Sequence, residues 1–285
     1  MQQGECLSYL RSMLPSLKGV ERKIGEFLID NPENFINMTV KSISLAIQVS
    51  EGSIINFSRK LGFDGFTAMK ISVAMSLQAQ NHFVLGDISI GGADSVASVM
   101  TQVFESVCAI LSETLRIISH SELHRAVEVI MKAKHIEFYG LGTSAPIVQD
   151  AYYRFMRIGV NATACVDPHI MCISASQMGI GNLAIAISHT GRSKQTVLAL
   201  REAKEHGADT LCITSYADSP ITQYADITLL TSPGDNKLLK EATVARIAHI
   251  ALLDSLCTYI AMQNSTLTTK LQDKMLNILE SQRHE

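Results

Sequence analysis

Three stretches of the sequence predict an all-helical leading domain followed by an α/β domain built on a parallel sheet. Residues 182–214 read NLAIAISHTGRSKQTVLALREAKEHGADTLCIT: a short apolar run, a hydroxyl-rich loop, a helical pattern and a second short apolar run. That order predicts a βαβ unit with a right-handed crossover. Residues 136–156 repeat it in outline, Ile136 to Tyr139 leading into a glycine- and hydroxyl-rich loop and then a helix. Before residue 80 the periodicity is helical only.

In the leading part Val20, Ile24, Phe27 and Leu28 mark one helix, which stops near Asn31-Pro32 because proline cannot continue it. Ile43 and Ile47 mark a short second helix. Val49-Ser50 then opens EGSIINFSRKLGF, where Ser50 is a natural N-cap, Glu51 suits the positive helix end, and Ile54, Phe57 and Leu61 form the apolar stripe. Two short helices joined by a tight turn, the second capped by serine, predict a helix-turn-helix. Ser50, Ser53, Asn56, Arg59 and Lys60, with Lys70 beyond, are the candidate contacts to base edges and phosphates. Residues 1–80 hold eight Lys and Arg against seven Asp and Glu, so placement carries the DNA reading: between Ser53 and Lys70 only Asp64 opposes the basic residues. A helical dimerisation or docking domain would have the same outline.

From Ala79 to Asp94 helical periodicity lapses and three glycines gather, which divides the chain into residues 1–80, a linker at 81–94 and a second domain at 95–285. That domain is expected to open with a long helix near Ser95 to Ile118 and to close with one from about Glu241 to Gln263.

The loop Ser188-His189-Thr190-Gly191-Arg192-Ser193 offers three hydroxyls, a glycine and a basic residue at the end of one strand and the start of a helix. The first turn of a helix has unpaired N–H groups and a positive dipole end, so this set suits a phosphate monoester. The plainer alternative is that the hydroxyls only cap the helix, with Ser193 as N-cap. A second loop, Gly140-Leu141-Gly142-Thr143-Ser144, favours the anion. It is not a dinucleotide fingerprint, since the third glycine is missing and the next strand, Ala162 to Val166, ends in no acidic residue. Two such loops on one sheet fit a sugar phosphate better than NAD, and no cofactor or metal is expected.

These two loops, with the GAD-x-L-C-I-T-S strand after the second, resemble the sugar isomerase (SIS) domain from about Leu123 to Met262. The resemblance implies a three-layer αβα, flavodoxin-like fold with a five-stranded parallel sheet. It implies that Thr143, Ser144, Ser188, Thr190 and Ser193 bind the phosphate, with His189 beside them and Gly142 and Gly191 shaping the loops. The leading domain is similar to that of RpiR-type bacterial regulators through VS-x-x-x-I at Val49 to Ile54 and KLGF-x-GF-x-x-x-K from Lys60 to Lys70. That order of domains is the RpiR-type order. Two positions depart from the pattern: Gln48 stands where the family usually has glycine in the turn, which predicts a looser turn, and Asn56 replaces a common arginine.

With 285 residues, 47% hydrophobic and 18% charged, the chain has ample core, and a net charge of −3 gives it no general attraction to nucleic acid. Six cysteines without a C-x-x-C pair read as reduced and cytosolic. No signal peptide and no membrane-spanning run are expected, which places the protein in the cytoplasm. Sugar phosphate isomerisation needs an acid and a base at the loops, and His169, His189 and Glu241 are the candidates. Each has a simpler role, the histidines bonding a sugar hydroxyl and Glu241 opening a helix. The attached DNA-reading domain favours a sensor over an isomerase. The expected partners are an operator duplex, a phosphorylated sugar and further copies of the chain as a homodimer or homotetramer.

Overall fold

The computed structural model describes residues 6–80, 95–234 and 244–281, so the expected linker at 81–94 and the candidate Glu241 lie outside the described residues. The chain forms two compact units. One holds the residues up to Ile117 with 216–218 and 232–244, and the other holds the rest.

The first unit is helical. Its helices are α1 (Cys6–Met13), α2 (Gly19–Asp30), α3 (Pro32–Asn37), α4 (Val40–Ile47), α5 (Glu51–Lys60), α6 (Phe66–Gln80) and α7 (Val96–Ile117). The proline that ends α2 also starts α3, where its fixed φ suits the first turn. Ile24, Leu28, Phe35, Ile43, Ile54, Phe57 and Leu61 are all buried in one core with Leu7, Leu10, Met69 and Val73. The expected apolar stripe of α5 is thus the face that packs. The long helix α7, placed by the sequence in the second domain, is grouped with these helices.

The second unit alternates strand and helix: α8 (His120–Lys132), β1 (His135–Tyr139), α9 (Ala145–Arg157), β2 (Ala162–Cys165), α10 (Pro168–Ala175), β3 (Asn182–Ile187), α11 (Lys194–Glu205), β4 (Asp209–Thr214), β5 (Ile227–Leu230), α12 (Ala245–Gln263) and α13 (Ser265–Ser281). The sheet has five parallel strands, as the resemblance implied, and their order is β2-β1-β3-β4-β5. Helices cover both faces. Phe138, Leu183, Ile185 and Ile187 pack with α9 and α12, and Phe138 meets Phe155 edge-on at 5.4 Å. Tyr139, Ala184, Ala186 and Cys212 face the other way, against Met171 and Ala175 of α10 and Ala199, Leu200 and Ala203 of α11. The alanines on that face let α10 and α11 lie close, and burial of β3 on both faces explains its unbroken apolar run.

α7 and α12 are each long and apolar enough, by length and composition, to cross a membrane. For α12 the reason is its place in the core, where Ala245, Ala248, Leu252, Leu253, Leu256 and Ile260 are buried against the sheet. α13 was not anticipated, because Ser265 to Ser281 shows weak apolar periodicity and leaves Leu267, Leu276 and Ile278 exposed.

Candidate functional site

Both hydroxyl-rich loops leave the sheet side by side. β1 and β3 are neighbours with Tyr139 opposite Ala186, so the first loop begins level with Ile187 and the second one residue further on. Neighbouring strands lie about 4.8 Å apart. The connection after β1 runs to one face of the sheet and that after β3 to the other, so the loops flank the point where the topology reverses, the usual ligand crevice of an open α/β sheet. Gly140 is needed here. A Cβ on it would stand 2.7 Å from Val148 Cγ2 and 3.2 Å from both the Ile187 carbonyl oxygen and Ser144 Cβ. At Gly191, φ is +62° and a Cβ would run into the side chain of Ser219.

Each loop leads directly into a helix. Ser144 precedes α9 and Ser193 precedes α11 at their N-cap positions, yet neither side chain makes a capping hydrogen bond. The capping reading of Ser193 is therefore not realised, although Ser50 and Ser119 do cap α5 and α8 in the usual way. At α11 the absence of a cap leaves the Ser193 hydroxyl and the first-turn N–H groups available to an anion, whereas at α9 the tight turn Gly142–Ser144 already uses the Ser144 and Ala145 N–H groups and Pro146 has none, so the Ser144 hydroxyl is the main donor there. Ser144 and Ser188 are buried, whereas Gly142, Thr143 and Thr190 are exposed. The Ser188 N–H donates to the Ile213 carbonyl at 3.0 Å, extending the β3 ladder into the loop, and Thr190 Oγ1 accepts from the Arg192 N–H at 3.3 Å.

His189 is half-buried, with Nδ1 3.0 Å from the hydroxyl of Ser215, the first residue after β4. Ser215 Oγ also lies 2.8 Å from Thr231 Oγ1, just after β5, and 3.5 Å from His249 Nε2 on α12. The two imidazoles are 6.2 Å apart. Burial pushes His189 down to about 4 and His249 down to about 3, the latter also opposed by His189, so both are neutral at pH 7. Ser215, Thr231 and His249 were not singled out from the sequence. The available signals were the Thr214-Ser215 end of β4 and a lone histidine within the apolar run of α12.

His169 follows β2, the strand beside β1, and no hydrogen bond joins it to this group among the described residues. It lies exposed in the first turn of α10, beyond the edge strand β2, and its N–H donates to Asp167 Oδ1 at 2.9 Å. Asp167 caps that helix through the N–H groups of His169 and Ile170, and those bonds hold its carboxyl below the usual range.

In the helical unit α4 and α5 are joined by Gln48, Val49 and Ser50. Gln48 adopts the left-handed conformation as C-cap of α4, so the turn stays tight without glycine, contrary to the looser turn expected. Ser50 caps α5 by accepting from the Ser53 N–H at 3.1 Å, and the two hydroxyls lie 2.8 Å apart. Asn56 and Arg59 are exposed on α5. Lys60 pairs with Glu21 at 2.7 Å, and Lys70 donates to the Met38 carbonyl at 3.0 Å while lying 5.8 Å over the Phe66 ring. Of the candidate basic contacts, Arg59 alone forms no ion pair or hydrogen bond among the described residues.

A helix-turn-helix unit and a SIS-type parallel sheet together define an HTH-type transcriptional regulator as the class. Residues 4–80 match the model of the helix-turn-helix domain of the rpiR family, and residues 129–259 match that of the SIS domain. The chain belongs to the rpiR family of helix-turn-helix transcriptional regulators with a SIS domain. An HTH-type transcriptional regulator of Caldanaerobacter subterraneus is 32% identical over 91% of both chains. HexR of Escherichia coli is 29% identical, over 96% of this chain and 93% of its own. The structure of the Vibrio vulnificus NanR protein complexed with ManNAc-6P shares the fold with a TM-score of 0.63 at 20% identity, covering 98% of this chain and all of that one.

Proposed function

We propose that the SIS domain binds a phosphorylated sugar at loops 140–144 and 188–193, and that its occupancy modulates operator binding by the leading domain. The observation that carries this reading is the pair of uncapped helix starts, Ser144 and Ser193, on neighbouring strands at the switch point. Gly142, Thr143, Ser144, Ser188, His189, Thr190, Gly191 and Ser193 hold the phosphate end, and His169 and Glu241 are kept for the sugar. The NanR protein that shares this fold is complexed with ManNAc-6P, a sugar phosphate, which supports the ligand class. On the DNA side Ser50, Ser53, Asn56, Arg59, Lys60 and Lys70 are assigned to the duplex, within a domain at 1–80 joined through 81–94 to the SIS domain at 95–285.

The chain acts as a sensor and not an isomerase, in the cytoplasm and as a homo-oligomer. Relatives that are named transcriptional regulators support the first point. The effector shifts DNA affinity by no more than its differential affinity for two arrangements of the oligomer, typically about 1 to 3 kcal/mol. The test is a thermal-shift and calorimetric screen of sugar phosphates, since a ligand of the native state raises its stability with the logarithm of concentration over Kd. Ser188→Ala with Thr190→Ala is expected to abolish the shift and the effector response while leaving operator affinity intact. Loss of operator affinity along with the response would count against the assignment, and steady conversion of an aldose phosphate would promote an isomerase.

A further inference from the structure

The second unit holds a cavity of about 440 Å³ where the end of α9 meets the end of α12 and the start of α13. Its volume falls within the range of small-molecule pockets. α9 begins just after Ser144 and runs 13 residues to Arg157. At 1.5 Å per residue that puts the cavity about 20 Å from the first loop, at the opposite end of the unit.

The walls are fixed by contacts among the three helices. Gly159, just past α9, has φ +86°, and a Cβ there would stand 2.6 Å from Leu271 Cδ1, so α13 seats against the end of α9 by close approach at a glycine. Thr268 is 6% exposed and donates to the Ala261 carbonyl at 3.3 Å, which ties α13 back onto α12. Arg154 is clamped by carboxylates from two helices, Nε to Asp150 Oδ2 at 2.8 Å and Nη1 to Asp254 Oδ1 at 2.7 Å.

The lining is mixed. Arg154, Arg157, Thr258, Ser265, Thr269 and Gln272 supply polar groups, while Ile158, Ala261 and Met262 supply apolar surface. No Asp or Glu lines the cavity among the described residues. Arg157 lies over the Tyr153 ring at 5.5 Å and pairs with no carboxylate among the described residues. The side chains of Thr258, Ser265, Thr269 and Gln272 likewise have no hydrogen-bond partner there. A cation at the end of α9 suits the negative end of its dipole, which accounts for one guanidinium. It does not account for a cavity with two of them, four uncommitted polar side chains and no acid. A planar carboxylate matches the guanidinium fork.

We propose that this cavity is a second ligand site, for a small organic acid, with its carboxylate on Arg157 and Arg154 and a short aliphatic body along Ile158, Ala261 and Met262. The site shares no residue with loops 140–144 and 188–193, and it does not depend on reading them as a phosphate site.

The test is calorimetric titration of the full chain with sodium hexanoate and, as its uncharged counterpart, hexanamide. Hexanoate is expected to bind with a Kd of about 1 mM or tighter. Hexanamide is expected to bind about tenfold more weakly, the size of one hydrogen bond to a charged group. Arg157→Gln is expected to lose about tenfold in hexanoate affinity, and Thr269→Trp to abolish binding by filling the cavity. Both positions are exposed, so neither substitution disturbs the core, and the unfolding midpoint without ligand checks this. Ser188→Ala with Thr190→Ala is expected to leave hexanoate affinity unchanged. No binding by the unaltered chain at about 10 mM hexanoate overturns the proposal, as does equal affinity for acid and amide, or hexanoate affinity that neither cavity substitution alters. Loss of hexanoate binding in the loop double variant also overturns it, by placing the acid at the loops. A chain that binds hexanoate but no sugar phosphate would keep this site and remove the phosphate reading, and the converse would do the opposite.

Discussion

Gln48 is the one non-glycine residue with positive φ among the described residues, at φ 53° and ψ 53°. A side chain in the left-handed region costs about 1–2 kcal/mol, because Cβ crowds the following carbonyl oxygen. Gln48→Gly is therefore expected to stabilise the chain by about 1 kcal/mol in chemical denaturation, and a neutral or lower midpoint would show that Gln48 gains an offsetting contact. The two buried histidines make a second prediction at this scale. Their folded pKa values lie below the ordinary value of 6.5, so below that pH the unfolded chain takes up protons that the folded chain refuses. Stability from this source is complete above about pH 6.5 and is lost as pH falls toward about 4 for His189 and about 3 for His249. The loss approaches about 1.4 kcal/mol per pH unit for each histidine within that window. His249→Phe is expected to flatten the profile between pH 6 and 4, and an unchanged slope would mean that His249 is protonated in the fold.

At the scale of elements the helix starts decide most. An ordinary N-cap serine contributes about 1 kcal/mol, and Ser50 has the geometry for it. Ser193 does not, so Ser193→Ala is expected to leave the stability of the free protein nearly unchanged while weakening phosphate binding. A loss of about 1 kcal/mol without ligand would restore the capping role. On α5 the exposed Arg59 stands without an ion pair among the described residues, while Lys60 and Lys70 are engaged by Glu21 and by the Met38 carbonyl. Arg59→Ala is expected to lower the salt dependence of operator binding by about one unit of slope if the guanidinium meets a phosphate. Lys60→Ala is expected to change it less, because its charge is already partly balanced within the unit.

At the scale of the whole molecule the question is how effector occupancy reaches the DNA-reading domain. α7 lies in the chain between the DNA-reading helices and the sheet. α7 carries a buried acid, Glu113, which accepts from the Ser232 hydroxyl at 2.6 Å and pairs with Arg11 of α1 at 3.5 Å. Thr114 beside it accepts from the Ser232 N–H at 3.1 Å. Ser232 directly follows Thr231, the residue whose hydroxyl meets Ser215 in the histidine cluster. Ser232→Ala is expected to leave effector affinity intact and to reduce the effector's influence on operator binding; an unaltered response would exclude this route.

What could be read from the sequence was whatever depends on local order along the chain. The periodicity of 182–214 and 136–156 gave β3, α11, β4, β1 and α9 within a residue or two, and Ser50 with its apolar stripe gave α5. The two hydroxyl-rich loops were visible as loops because glycine and serine between a strand and a helix have few other uses. The five-stranded parallel sheet was taken from resemblance, and its strand order came from the structure, since no local rule says that β1 lies between β2 and β3. Only tertiary structure decided that Ser144 and Ser193 leave their helices uncapped, and that Lys60 and Lys70 find partners in Glu21 and the Met38 carbonyl. It also brought His249 to within hydrogen-bonding range of Ser215 across 34 positions of sequence. Side-chain partnership is set by which strand ends and helices meet in space, and that depends on burial of the whole core and not on any one segment's own preference.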